Sequence, residues 1–221
     1  MWLVRSETAA ETMPAPHDPA DEPALDGGAV ADDPVVAFRA WLDAAWAAGL
    51  PEPRAATVAT ADTAGRPSAR TMILRGIDER GFVFFTGHES RKGQELAANP
   101  HAALVFHWQP LQRQVTVAGP VVRLDDAEAD RCFAARPRGA QLAAWVWPQS
   151  SVVPGRGVLE ERFAEAAARF EGGEVPRPPS WGGFRVVPER VELWQQGADR
   201  LHDRLCYRRA GDAWVMDRLG P

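Results

Sequence analysis

Between Arg54 and Leu124 the chain is a series of short apolar runs whose connections are mostly too brief for a crossover helix. Arg54–Thr60, Thr71–Leu74, Phe82–Phe85, His101–Trp108 and Arg113–Leu124 carry β-branched or aromatic residues and are bounded by Gly, Pro, Asp or Asn. Parallel neighbours need a dozen or more connecting residues. The polar stretches Asp62–Pro67, Gly76–Gly81 and Gln109-Pro110-Leu111 supply far fewer. The pattern resumes in Gly183–Val187, Arg190–Gln195, Arg204–Arg209 and Ala213–Leu219. An antiparallel sheet or barrel is therefore expected rather than repeated βαβ units, giving a mainly β protein with flanking helices (α+β).

The helices announce themselves by their ends. Asp33 can cap a helix with Pro34 at its first position, an apolar stripe of Val35, Phe38, Leu42 and Ala45-Trp46, and Gly49 as terminator. Ser90 is an N-cap for a helix running to Ala98, stopped by Asn99-Pro100. Asp125 with Glu128 resembles a capping box opening a helix to about Ala135. Another helix runs from about Val158 to Phe170 and ends at Gly172-Gly173. Residues 1–32 are rich in Ala, Pro, Asp and Glu without a periodic apolar face, and read as a disordered acidic tail before a single domain over 33–221.

The second of these helices carries an electrostatic oddity. Arg91 and Lys92 occupy its first turn, where the helix is already partly positive and an acidic residue is usual. Two cations there become reasonable around an anion that the free backbone N–H groups also hold. Arg70 and Arg75, one strand away, could close on the same anion; the bland alternative is a set of solvated surface arginines. Lys92 is the only lysine in the chain, and lysine and arginine are not interchangeable at a tight site. Arg136-Pro137-Arg138-Gly139 breaks a helix and places two guanidinium groups beside a turn, as either an anion clamp or a solvated corner. In Asp199–Arg204, alternation predicts Arg200, His202 and Arg204 on one face of an extended segment.

Composition narrows the classes. A net charge of −5 and a pI near 5.6 argue against a general nucleic-acid binder. No apolar run is long enough to span a membrane, and no secretory leader is evident, so a cytoplasmic protein is expected. Cys132 and Cys206 form neither a metal spacing nor a disulfide framework, and no metal is expected. Nine tryptophans against one tyrosine suggest large apolar contacts, a dimer interface among them. Phosphate-loop, dinucleotide, zinc-helix and nucleophile-elbow signatures are all missing.

The segments RTMILRGIDERGFVFFTGHESRKGQELAANP, LQRQVTVAGPV, ARPRGAQLAAWVWPQSS, SWGGFRVVPERVELWQQGADRLHDR and the closing DRLGP resemble the pyridoxamine 5′-phosphate oxidase family, over about residues 33–221. The resemblance implies a flavin-binding split β-barrel that works as a homodimer with FMN at the subunit interface. It places FMN against Arg70, Thr71, Met72, Ile73, Leu74, Arg75, Phe85 and Thr86, with Arg91 and Lys92 on its phosphate. Gln114, Gln149, Ser150, Trp194 and Arg204 complete the set, some from the partner subunit. Substrate contacts are implied for Arg75, Cys132, Arg136, Ala140, Arg200 and His202, with Arg200 and His202 orienting the substrate ring first and handling protons second. Three positions depart from the family pattern: Arg75 stands where lysine is typical, Cys132 where tyrosine is, and Ala140 where serine is frequent.

The implied activity is oxidation of pyridoxamine or pyridoxine 5′-phosphate to pyridoxal 5′-phosphate with dioxygen, releasing hydrogen peroxide. Loss of two hydroxyl donors leaves room for an alternative, a pathway oxidase of an unphosphorylated, phenazine-type aromatic. A non-catalytic flavin or pyridoxal phosphate binder is a third.

Overall fold

The architecture turns on one long strand. The computed structural model describes Leu25 and residues 30–221. In it β6 (Arg113–Arg123) pairs along one edge with β5 (His101–Trp108). Its other edge is divided: Arg113–Ala118 pair with β8 (Arg190–Gln195) and Val121–Arg123 with β7 (Trp181–Val186). The division falls at Gly119-Pro120, where the Val187 and Glu189 N–H groups donate to the Pro120 and Ala118 carbonyls at 2.8 and 3.0 Å. A Cβ on Gly119 would lie 2.0 Å from the Val187 carbonyl oxygen, so only glycine lets the β7–β8 turn close over the strand.

Around this strand the other ladders are antiparallel, as expected. β1 (Ala55–Ala61) joins β5 to β2 (Pro67–Ile73), β8 continues through β9 (Asp203–Ala210) to β10 (Ala213–Arg218), and β7 continues through β4 (Gly81–Gly87) to β3 (Gly76–Asp78). The order β10-β9-β8-β6-β5-β1-β2, with the β7-β4-β3 branch leaving β6, makes a split barrel. Just past β2, the Arg75 N–H donates to the Val83 carbonyl at 2.8 Å and draws the two free sides together.

Alternation along β5 and β6 sends Leu104, Phe106, Val115 and Val117 into the core. α1 (Pro34–Ala47) plugs it with Phe38, whose ring lies 5.0 Å from Phe82 and 4.8 Å from Phe106. α2 (Arg91–Ala98) follows β4 directly. A smaller cluster of Phe133, Leu142, Ala166 and Val175, with Trp145, Phe170 and Trp181 against it, joins α3 (Asp126–Ala134), α4 (Arg138–Ala143) and α5 (Arg156–Arg169).

Arg136–Gly139 follows the end of α3 as expected, and Pro137 sits at the N-cap of α4, which starts at Arg138. Two expectations need correction. The Gly76–Gly81 run includes β3, paired with β4. Arg200, His202 and Arg204 do not share an extended face. Ala198–Arg200 is a 3-10 turn with Asp199 and Arg200 at φ 53° and 64°, and only Arg204 lies in β9. The chain doubles back because Leu201 N–H bonds Ala198 and Gly197 N–H donates to His202 Nδ1, a closure that a Cβ on Gly197 would block. Most of the expected tail lies outside the described residues. Its described parts pack on the domain: Leu25 is buried and donates its N–H to Asp203, Arg218 bonds both Asp203 and the Leu25 carbonyl, and Tyr207 donates its hydroxyl to the Ala31 carbonyl.

Gly119→Ala forces the β7–β8 turn off β6. A loss of about 2–4 kcal/mol is expected from the clash and the broken bonds, read as a lower urea midpoint with the chain still able to fold.

Candidate functional site

Ser90 caps α2 as expected, its Oγ accepting from the Gly93 N–H at 3.3 Å. The two cations of the first turn then diverge. Arg91 stays at the surface and pairs with Glu95, one turn on, at 2.9 Å. Lys92 turns inward, is 6% exposed, and donates to Thr86 Oγ1 at 3.0 Å and Ser90 Oγ at 3.3 Å. Burial pushes its ammonium below the ordinary lysine range and the charge of Arg70 adds to this, with Glu95 partly offsetting both. A buried ammonium held only by hydroxyls is costly unless an anion joins it.

Glu95 is the internal anion of this corner. Its carboxylate accepts from Thr60 at 2.5 Å, Ser68 at 2.6 Å and Arg91 at 2.9 Å, with Arg70 at 3.5 Å. Burial pushes the carboxyl up, but the bonds from Ser68, Thr60 and Arg91 and the charge of Arg70 outweigh it and bring it down to about 2. Arg70 also donates to Thr60, Ser68 and the Val58 carbonyl. Arg70 and Arg75 therefore do not share an anion here: Arg70 is engaged by Glu95, whereas Arg75, beyond the end of β2, lines a separate recess with Cys132.

On the far side of α2's N-terminus lies a cleft of about 660 Å³. One wall is Phe85, Thr86 and Ser90; the others are Trp145–Gln149 after α4, and Pro178–Trp181 leading into β7, with Arg136 among them. Gln149 bridges two walls, its Oε1 accepting from Thr86 Oγ1 at 2.8 Å and the Gly87 N–H at 2.9 Å. Ser150, with φ 73°, lines a neighbouring recess with Arg91. Arg136 NH1 and Trp147 Nε1 are buried donors with no partner among the described residues. Burial, with the nearby Arg75 charge, lowers the Arg136 pKa. Arg75 and Cys132 share a second recess that also contains Phe85. Burial pushes the Cys132 thiol up against the opposing pull of Arg75 and Arg136. Arg138 does not join this group; it is exposed and caps the end of α5 through the Phe170 and Gly173 carbonyls.

A second group sits three strands from β2. Gln114 of β6 faces Trp194 of β8, which faces Arg204 of β9. Arg204 pairs with Glu192 at 2.8 Å, and the His202 ring packs on Trp194 with centroids 4.8 Å apart. The Gly197 bond to Nδ1 assigns the Nε2–H tautomer to a neutral His202. Arg200 is exposed, and none of these residues lines either recess. One chain thus presents two separate groups: a cationic, aromatic-walled cleft, and a histidine–tryptophan corner.

Comparison with known proteins gives this geometry a context. Residues 42–170 match the family model for pyridoxamine 5′-phosphate oxidase, and residues 181–221 that for the pyridoxine 5′-phosphate oxidase C-terminal dimerisation region. The chain belongs to the pyridoxamine 5′-phosphate oxidase family. It is 53% identical over 199 residues to a pyridoxine/pyridoxamine 5′-phosphate oxidase of Cupriavidus taiwanensis, covering 90% of this chain and 93% of that one. It is 54% identical over 196 residues to that of Salinibacter ruber, covering 87% and 91%. Among solved structures, PhzG from Burkholderia lata 383, in complex with tetrahydrophenazine-1-carboxylic acid, superposes with a TM-score of 0.87 at 32% identity, over 92% of this chain and 100% of that one.

Within this oxidase family member, sequence reasoning missed Glu95 and Trp181. Glu95 was signalled only by its position four residues after Arg91; Trp181 fell just ahead of the expected strand Gly183–Val187, yet it opens β7 and its ring carries Arg136. Among the described residues no helix is long and apolar enough to cross a membrane, and no cluster could hold a metal ion.

Because the folded Glu95 pKa, about 2, lies below its ordinary value of 4.5, its contribution is complete above about pH 5 and fades as pH falls towards 2. Glu95→Gln is expected to cost about 2–3 kcal/mol at pH 7 through lost charged hydrogen bonds. It is also expected to flatten the acid limb of stability between pH 5 and 2 in denaturation curves followed by tryptophan fluorescence.

Proposed function

We propose that the protein oxidises pyridoxamine or pyridoxine 5′-phosphate to pyridoxal 5′-phosphate, as an FMN-dependent homodimer. The observation that carries this reading is Arg136, whose buried NH1 has no partner among the described residues, a ready anion clamp beside the aromatic Phe85–Trp181 wall. The names of relatives at about half identity support it.

The donor set fits FMN. A planar ring suits Phe85, and a phosphate suits buried Lys92, Thr86, Ser90 and the free N–H groups of α2. Arg70 to Arg75, Arg91, Gln149 and Ser150 would contribute from the same chain, and Gln114, Trp194 and Arg204 from the partner subunit. Bound FMN would supply a two-electron acceptor for hydride from the substrate's C4′ carbon, with dioxygen, reduced to hydrogen peroxide, as the final oxidant. This chain's residues position the substrate. Arg136 and Arg75 anchor its phosphate, with Cys132 and Ala140 beside them. Arg200 and His202 of the other subunit orient the ring, because hydride transfer depends above all on alignment. With Nδ1 accepting from Gly197, a neutral His202 would have its Nε2–H to offer to a ring substituent. With the amine substrate, the imine product takes up water and releases ammonia to give the aldehyde.

A second reading has a specific basis: the likeness to PhzG, whose structure holds an unphosphorylated aromatic acid. The absence of hydroxyls at Cys132 and Ala140 favours it. Anaerobic mixing separates the readings. Rapid bleaching of the flavin by pyridoxine or pyridoxamine 5′-phosphate, reversed by air with aldehyde formed, is expected; bleaching only by a dihydroaromatic acid supports the second. No bleaching by either class points to a passive binder.

Lys92→Met is expected to weaken FMN binding about 10- to 100-fold, as loss of a charged hydrogen bond predicts, in a fluorescence titration. Arg136→Met should instead raise KM for the phosphorylated substrate at least 30-fold while FMN stays bound.

A further inference from the structure

The arginines of this chain are mostly held by carboxylates. Arg185 is gripped by Asp78 and Glu128, Arg177 by Asp126 and Asp130, Arg70 by Glu95, and Arg204 by Glu192. Arg136 is held differently. Its guanidinium carbon lies 4.9 Å from the ring centre of Trp181 and 5.6 Å from that of Phe133. An aromatic face attracts a cation without occupying its N–H groups. A carboxylate would neutralise the charge and fill the fork. The aromatic support therefore leaves Arg136 with donors to offer, and NH1 is indeed without a partner among the described residues.

The same indole has a second neighbour. Trp181 stacks on Phe85, with centroids 5.0 Å apart and planes 9° from parallel, while Phe133 meets it edge-on at 5.1 Å. Its backbone is pinned in β7 opposite Gly87 of β4, and its carbonyl accepts from Arg177 at 2.7 Å. Trp181 thus ties the cation to the aromatic wall, and its own position is fixed from both sides.

We infer that Trp181 is a positioning residue, which presents Arg136 to the anionic group of the substrate and sets the distance of that anion from the Phe85 wall. The inference rests on the oxidase reading, in which Arg136 clamps the phosphate. In this reading Trp181 acts through Arg136, which its ring supports, rather than on the reacting atoms.

The test uses FMN-loaded protein and two substitutions. Trp181→Leu keeps an apolar side chain but removes the aromatic face; Trp181→Phe keeps a smaller face. With pyridoxine 5′-phosphate, Trp181→Leu is expected to raise KM at least tenfold with kcat within threefold, and Trp181→Phe to raise KM three- to fivefold. In an Arg136→Met background, either substitution should change KM less than twofold. An unchanged KM, or an equal rise in both backgrounds, overturns the inference, because a merely structural role does not depend on Arg136. If Trp181→Leu does not fold, Trp181→Phe carries the same comparison. Calorimetric titration of inorganic phosphate into the FMN-loaded wild type and variants runs beside it and needs no turnover. Phosphate binding weakened at least threefold by Trp181→Phe, and tenfold by Trp181→Leu, supports the inference even if the wild type leaves pyridoxine 5′-phosphate unoxidised, which would sink the oxidase reading alone. Phosphate binding unaffected by the substitutions overturns it.

Discussion

A β-strand has two edges, and β6 divides one of them between β8 and β7. That division is the constraint on which the architecture depends. It splits the sheet into two directions, so that the β5-β1-β2 side and the β7-β4-β3 branch curl towards each other around Phe38 and Phe106. It also places the N-terminus of α2, at the end of β4, beside Trp181 at the start of β7. The cleft exists because those two ends are neighbours in register, Gly87 opposite Trp181.

The electrostatics follow a simple division of labour. Most guanidinium groups meet a carboxylate or a carbonyl, and they fix loops and strand ends. Glu95 gathers Arg70 and Arg91 in this way and keeps the first turn of α2 from being a bare concentration of positive charge. Lys92 and Arg136 are placed by hydroxyls and aromatic rings instead, which orient a cation without cancelling it. In the function proposed above, that contrast in support, more than the count of charges, is what singles out Lys92 and Arg136 as the groups that would meet an external anion.

Much of the fold was legible in the sequence because short connections between apolar runs leave few alternatives to antiparallel pairing. The Ser90 and Asp125 caps were legible for a similar reason: a cap is local, and both side chains bond the helix N–H groups as their positions predict. Long-range partnerships were harder. Nothing local distinguishes Glu95 from a solvated carboxylate, because Thr60 and Ser68 reach it from other strands. The 198–200 turn escaped alternation because its shape depends on Gly197 closing over Leu201. Of the proposed site, Lys92 and Arg136 could be suspected from charge and rarity, whereas Trp181 acquires meaning only when β7 is set beside β4.

The rarity of lysine has a chemical corollary. Every other basic side chain that could compete for an amine-directed reagent is a guanidinium or an imidazole, so the ε-amino group of Lys92 is the sole side-chain amine on the molecule. It lies buried under the first turn of α2 rather than on the surface. Acylation of side-chain amines and cleavage by lysine-specific proteases, which ordinarily report on a protein's whole exterior, are confined here to a single interior address. Their progress is a built-in clock for how often that one corner of the fold opens.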